Sequence, residues 1–123
     1  MRKEKLITVS IVIFILLIAG GIIYFKSTTL SIKDFPSEEV ARYIGEHSVL
    51  YVQAGCIHCR EQEDLFGENV KYLHIFDCAA SKDNTLVCNL GGIVTTPTWI
   101  INGEKYTGVQ SIEKLKELTG YKG

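Results

Sequence analysis

The sequence GCIHCR, residues 55–60, lies between a run typical of a buried strand and a run typical of a helix. Residues 48–54 before it are largely apolar, and residues 60–66 after it suit a helix that ends at Gly67. A strand that leads directly into a helix places both cysteines of the motif in the first helical turn. We therefore interpret this motif as the chemical centre of the chain.

The start of a helix favours a reactive thiolate at Cys56. Free backbone N–H groups and the positive end of the helix dipole stabilise an anion there, so the pKa of the Cys56 thiol is expected to be lower than in a free peptide. A protonated His58 would act in the same direction. Cys59 lies three residues later on the same helix face and can close a disulfide with Cys56, releasing whatever Cys56 has attacked. The pattern predicts thiol–disulfide exchange.

Other sites use the same cysteine spacing. Half of a zinc knuckle, a structural disulfide and two buried thiols are the alternatives. The strand before the motif and the helix after it favour the redox interpretation, and no metal site or cofactor is expected. The sequence contains no glycine-rich phosphate loop and no Ser/His/Asp arrangement.

Charge is unevenly distributed along the 123 residues. Residues 1–33 hold five Lys or Arg and one Glu, a net charge of +4, whereas residues 34–123 hold eight Lys or Arg and thirteen Asp or Glu, a net charge of −5. Such an acidic domain is a poor candidate for binding nucleic acid. We expect no nucleic-acid partner.

Residues 6–25 form a run of twenty residues without a charge. As a helix this run would be about 30 Å long, which matches the hydrocarbon thickness of a bilayer. Cations before it indicate that residues 1–5 stay in the cytoplasm and that the rest is exported. A cleaved signal peptide is the alternative, but apolar residues continue beyond the small residues at 19–21. We predict a single-pass anchor in the cell membrane, a tether over 26–34 and an extracytoplasmic domain over 35–123.

Export affects how the other two cysteines are interpreted. Disulfides persist outside the cytoplasm, so four cysteines suggest two pairs, Cys56 with Cys59 and Cys78 with Cys88. A structural disulfide between Cys78 and Cys88 is favoured over an auxiliary relay pair or free buried thiols. A zinc site that uses all four cysteines is least favoured, because the ten-residue step between the last two lacks a second short knuckle.

Local signals predict the remaining elements. The chain should begin its domain with a helix capped by Ser37 and end with a helix capped by Ser111. Residues 70–77 are apolar enough for a central strand of a parallel sheet, and a short helix is expected over 84–90. Asn102-Gly103 predicts a hairpin between strands 98–101 and 104–107. Together these elements indicate an α/β domain with a central mixed sheet and helices on both of its faces.

The chain from residue 35 to residue 123 resembles the thioredoxin superfamily. The resemblance depends on the strand that leads into the motif at 56–59 and on the sequence TPTWIING at 96–103. Together with the cysteines at 78 and 88, these features are most similar to the thioredoxin-like domain associated with bacterial and archaeal homologues of vitamin K epoxide reductase. The usual proline and aromatic residue of the motif are replaced here by Ile57 and Gly55.

The resemblance implies a thioredoxin-like fold and a set of site residues. Cys56 would be the exposed nucleophile and Cys59 the resolving thiol. Pro97 would be a cis-proline facing the disulfide, and Thr96 would pair its backbone with an incoming peptide. Apolar surface around Pro97 and Ile57 would accept an extended substrate strand. A structural disulfide between Cys78 and Cys88 is also implied.

The resemblance also implies a disulfide oxidase cycle at the membrane. The domain would take electrons from thiols of exported proteins, and a quinone-linked membrane partner, vitamin K epoxide reductase-like or DsbB-like, would reoxidise it. Two alternatives stay open: an extracytoplasmic disulfide reductase or isomerase, and a thiol-based metal-binding module.

Overall fold

The computed structural model describes residues 1–27 and 34–123 in two compact units, Met1–Asp34 and Phe35–Gly123. The first unit contains one helix, α1, at Arg2–Ser27. Its segment Arg2–Tyr24 is long and apolar enough to cross a membrane. Helix α1 includes the first two residues of the tether predicted at 26–34, and residues 28–33 of that tether lie outside the described residues.

The second unit is an α/β domain with one sheet of four strands flanked by helices. Its helices are α2 (Glu38–Glu46), α3 (Ile57–Asp64), α4 (Lys82–Leu90) and α5 (Ile112–Thr119). Its strands are β1 (Ser48–Val52), β2 (Ile75–Asp77), β3 (Thr98–Ile101) and β4 (Glu104–Thr107). A 3₁₀ helix occupies Gly67–Tyr72.

The sheet is mixed, with the strand order β2-β1-β3-β4. Strand β1 pairs in parallel with β2 and antiparallel with β3, and β3 pairs antiparallel with β4. Both central strands are therefore hydrogen-bonded on two sides. The mixed sheet predicted from the sequence is confirmed.

The core is apolar and draws on most elements of the domain. Its largest fully buried hydrophobic side chains are Ile44 from α2, Leu50 from β1, Phe66 after α3, Trp99 and Ile101 from β3, and Leu115 from α5. The rings of Phe66 and Trp99 have centroids 6.2 Å apart. This packing joins the segment after α3 to strand β3.

Short-range signals place several elements correctly. The Oγ atoms of Ser37 and Ser111 accept hydrogen bonds from the first turns of α2 and α5, as an N-cap does. In the hairpin, Asn102 has φ of 52° and Gly103 has φ of 80°, the two positive values that a two-residue Asn-Gly turn requires. The register pairs Ile101 with Glu104 across that turn.

The predicted strand over 70–77 is wrong in its extent and in its position. Most of its first half belongs to the 3₁₀ helix, from which Val70 and Tyr72 pack against the core. Only Ile75–Asp77 forms a strand, and it lies at the edge of the sheet. A short apolar run can be buried by a helical turn as well as by a strand, so its composition does not distinguish the two.

Gly45 permits close contact between α2 and the 3₁₀ helix. A Cβ atom built at Gly45 would overlap the backbone carbonyl group of Tyr72. We expect Gly45→Ala to lower the free energy of unfolding by about 1–3 kcal/mol, because backbone must move to make room. Urea denaturation measures the loss, and Glu46→Ala, at an exposed position of α2, is the control. Equal stability of the two variants would contradict this packing.

Candidate redox site

Three chain segments meet at one end of the strands of the sheet. The register aligns Val52 at the end of β1 with Asp77 at the end of β2, and Tyr51 with Thr98 at the start of β3. Residues that follow β1, follow β2 or precede β3 are therefore neighbours. These are the segments that hold Cys56, Cys78 and Thr96.

Cys56 is the N-cap residue of α3. Its backbone is extended, and its Sγ atom accepts a hydrogen bond of 3.1 Å from the backbone N–H of Cys59. A turn in which the Cys56 N–H donates to the Gln53 carbonyl at 3.1 Å leads from β1 into this position. The strand, the turn and the helix cap together fix the sulfur at the helix N-terminus, where the sequence placed it.

Cys56 and Cys59 form a disulfide with a Cα–Cα distance of 5.3 Å. The two residues differ in exposure, because Cys56 is partly exposed whereas Cys59 is 3% exposed and belongs to the core. An attacking thiolate approaching from solvent therefore reaches the Cys56 sulfur more easily than the Cys59 sulfur.

The segment that precedes β3 faces this disulfide. The Thr96 carbonyl oxygen lies 3.5 Å from Cys56 Sγ, and the Thr96–Pro97 peptide bond is cis. Two hydrogen bonds hold the segment: the Thr98 hydroxyl donates to the Thr95 carbonyl at 2.8 Å, and the Gly108 N–H donates to the Pro97 carbonyl at 2.8 Å. The structure thus brings together the cysteine motif and the Thr-Pro dipeptide, which are 40 residues apart in the sequence.

The residues predicted to form apolar surface differ in exposure. The side chain of Ile57 is 75% exposed, but Pro97 is fully buried, so its ring contributes no surface. Val94, which is 94% exposed in the loop before Thr96, offers apolar surface that the sequence analysis did not identify.

His58 contacts a carboxylate on its own helix. Its Nδ1 atom lies 2.8 Å from Glu61 Oε2, and both side chains are more than half exposed. Exposed pairs of this kind contribute little to stability. The role of His58 in stabilising a Cys56 thiolate stays a prediction.

A cavity of about 200 Å³ borders the disulfide on one side. Besides both cysteines, its lining includes Arg60, Glu63 and Asp77. Burial, followed by the nearby charge of Asp64, raises the pKa of the Glu63 carboxyl group above its ordinary value. The sequence analysis missed Glu63, because one acidic residue in a charged helix carries no distinguishing signal.

A second cavity, of about 290 Å³, reaches Thr96 from the side of α4. Cys78 and Cys88 are part of its lining and form a disulfide with a Cα–Cα distance of 5.9 Å. Cys88 is 3% exposed, and the Thr85 hydroxyl donates to the Cys78 carbonyl at 2.8 Å. The bond therefore connects α4 to the end of β2, as predicted for the pair.

All cysteines among the described residues form disulfides. Within residues 1–27 and 34–123 there is no free cysteine and no group of three His, Cys, Asp or Glu side chains placed to hold a metal ion. The four-cysteine zinc alternative therefore does not correspond to this arrangement, in which the sulfurs form two separate bonds.

Comparison with models of known protein families finds no match for this chain. The function of this chain is therefore inferred from the chemistry and geometry of the site. The features that carry it are the capped disulfide, the facing Thr96 carbonyl group and the apolar N-terminal helix.

Removal of the second disulfide tests its structural role. We expect replacement of both Cys78 and Cys88 with Ala to lower the free energy of unfolding by about 3 kcal/mol, because the unfolded chain is no longer constrained across that loop. Urea denaturation checks the loss. Disulfide exchange at Cys56 should persist in the folded variant; its disappearance would instead indicate a relay pair.

The raised pKa of Glu63 predicts a dependence of stability on pH. The folded state disfavours the charged form, so the wild type loses stability as pH rises through the folded pKa, whereas a neutral glutamine does not. We expect Glu63→Gln to gain up to about 0.5 kcal/mol at pH 7 and almost nothing near pH 3.5, with solvent screening keeping the gain small. Urea denaturation at both pH values measures it.

Glu61→Gln is the matched control, since Glu61 is exposed on the same helix. It should show no gain at pH 7. A Glu63→Gln variant whose advantage does not change with pH would refute the effect of burial on this carboxyl group.

Proposed function

We propose that this chain is a membrane-anchored thiol–disulfide oxidoreductase with a thioredoxin-like domain, acting on cysteines of exported proteins. One observation carries the proposal. A partly exposed Cys56 caps the helix that follows a central strand and is bonded to a buried Cys59 in the first turn of that helix. This arrangement holds a reactive sulfur outward and its resolving partner inward.

The helix N-terminus supports thiolate chemistry at Cys56. In the reduced form, the Cys59 N–H that lies 3.1 Å from Cys56 Sγ donates to a sulfur that carries negative charge. Hydrogen bonds to an anion and the positive end of the helix dipole both favour the thiolate form of a reduced Cys56. A thiolate that is stable at neutral pH is also a good leaving group in exchange.

In the oxidase direction, the domain removes two electrons from a client protein. A client thiolate attacks Cys56 Sγ and forms a mixed disulfide, and the Cys56–Cys59 bond breaks with Cys59 leaving as a thiolate. A second client thiolate then attacks the client sulfur of that mixed disulfide. The client is released with a new disulfide, Cys56 leaves as a thiolate, and the domain is left reduced.

The Thr96 segment supports binding of an extended client. A backbone carbonyl 3.5 Å from Cys56 Sγ lies where a peptide bound through its own cysteine could donate an N–H. Exposed Ile57 and Val94 offer apolar contacts near the ends of such a peptide. Pro97 is buried and cannot itself contact a client. The apolar surface comes from Ile57 and Val94.

The N-terminal helix supports a location at the membrane. Helix α1 is fully exposed along Arg2–Tyr24 and apolar enough to span a bilayer. The cations Arg2, Lys3 and Lys5 before the apolar run support an extracytoplasmic domain. A quinone-linked membrane enzyme, vitamin K epoxide reductase-like or DsbB-like, is the proposed partner for reoxidation.

Trapping of the mixed disulfide tests the proposal. We expect the full chain with Cys59→Ser, in detergent, to accumulate a covalent adduct with a peptide whose cysteine has been activated as a mixed disulfide with a small thiol, which leaves as a thiolate. The adduct forms because Cys56 attacks and no resolving thiol remains. Mass spectrometry detects it. Cys56→Ser is the control and should form none, and an adduct that forms equally on both variants would contradict the assignment of Cys56 as nucleophile.

The direction of electron flow is tested by the equilibrium of the Cys56–Cys59 couple with glutathione. We expect an oxidase, whose potential lies well above that of thioredoxin, because the helix cap stabilises the reduced thiolate. A value near that of thioredoxin would indicate a reductase instead. Absence of any exchange with a reduced model peptide would refute both directions.

A further inference from the structure

Gln62 is a fully buried polar residue in a core that is mostly apolar. The face of α3 and its following turn that points inward consists of Cys59, Gln62 and Phe66, spaced as a helix requires. An apolar side chain would be the simplest choice at the middle position, since burying an amide is costly unless all of its hydrogen bonds are satisfied. Gln62 therefore stands out among the residues that face the core.

The amide of Gln62 is satisfied by two other segments. Its Oε1 atom accepts hydrogen bonds from Trp99 Nε1 at 3.0 Å and from the Gln110 backbone N–H at 2.6 Å. Its Nε2 atom donates to the Gln110 carbonyl at 3.0 Å. A single side chain thus links the cysteine helix to strand β3 and to the loop before α5.

The hydrogen bonds of Gln62 join helix α3 to the strand that follows Thr96, in addition to the approach of Cys56 to the Thr96 carbonyl. Cys56 begins α3 and lies 3.5 Å from the Thr96 carbonyl, while Gln62, later in the same helix, is bonded to Trp99 of the strand that Thr96 leads into. The two segments therefore approach each other at Cys56 and Thr96 and are hydrogen-bonded to each other at Gln62 and Trp99. Rotation or sliding of the helix against β3 must break the buried bonds of Gln62.

We infer that Gln62 is a positioning residue that holds Cys56 and the Thr96 carbonyl in register for a peptide client. This inference rests on the proposed function and goes beyond it. A peptide must place its sulfur on Cys56 and its backbone on Thr96 at the same time, so its reaction depends on that register. A small dithiol such as dithiothreitol needs access to the Cys56 sulfur alone.

The ratio of two rates tests the inference. We expect Gln62→Met, in the oxidised full chain in detergent, to lower the rate of reduction by a two-cysteine peptide about tenfold, since small errors of placement slow reactions strongly. The rate with dithiothreitol should change less than twofold. Acid quenching, alkylation and mass spectrometry of the Cys56–Cys59 pair give both rates.

Ile44→Val is the matched control for lost stability, because Ile44 is fully buried in α2. It should leave the ratio of the peptide rate to the dithiothreitol rate unchanged. If Gln62→Met gives the same ratio as Ile44→Val, or if both of its rates fall together, the positioning role is refuted. A wild type that reacts with neither reductant would instead refute the proposed function.

Trp99→Phe keeps the inference testable if Gln62→Met does not fold. It removes the indole N–H donor together with part of the buried ring, and it leaves both bonds between Gln62 and Gln110. We expect a smaller fall of the rate ratio, about threefold. Where Gln62→Met does fold, the fall in the double variant should equal that of Gln62→Met alone, because both substitutions remove the bond between Gln62 and Trp99. An unchanged ratio in Trp99→Phe, or additive effects, would overturn the inference.

Discussion

Pairing of β1 with a parallel neighbour on one side and an antiparallel neighbour on the other determines where chemistry can occur in this domain. At one end of the sheet, β1 and β2 finish where the antiparallel strand β3 begins. Chain segments far apart in the sequence thereby become neighbours without long loops. The strand register is thus responsible for placing a cysteine helix, a second disulfide and the Thr96–Pro97 bond around one site.

The site combines a partly exposed cysteine with surrounding backbone and side chains that are buried and hydrogen-bonded. Cys56 is reachable from solvent, whereas the residue next to the Thr96 carbonyl group, Pro97, is fully buried and its own carbonyl is hydrogen-bonded to Gly108. Both polar atoms of the buried Gln62 amide are hydrogen-bonded. Satisfied buried networks favour one arrangement over others, because any shift leaves polar groups without partners.

The sequence predicts best those features that depend on a few adjacent residues. Serine caps, the Asn102-Gly103 turn and the strand-to-helix position of Cys56 follow from local backbone chemistry, and the structure has all of them. The extent of β2 was mispredicted, because the apolar run at 70–77 is divided between a 3₁₀ helix and a strand by packing that involves distant residues.

The supporting residues of the site could not be found in the same way. Gln62 and Glu63 belong to a helix whose sequence is polar almost throughout, so nothing in it shows which side chain points inward. Gln62 is buried where α3 packs against β3 and the loop before α5, and Glu63 is partly buried in the cavity at the ends of β1 and β2. The burial of Pro97 likewise depends on the order of the strands in the sheet. That order cannot be read from the sequence pattern of each strand alone.

The outer strands of the sheet are poorly suited to recruit further strands. Strand β2 has only three residues, and β4 carries exposed Glu104 and Lys105. Short and charged edges discourage edge-to-edge association, which is the usual route from exposed strands to aggregates. An oxidoreductase of the proposed kind would then bind an incompletely folded client through a sulfur without adding that client to its own sheet.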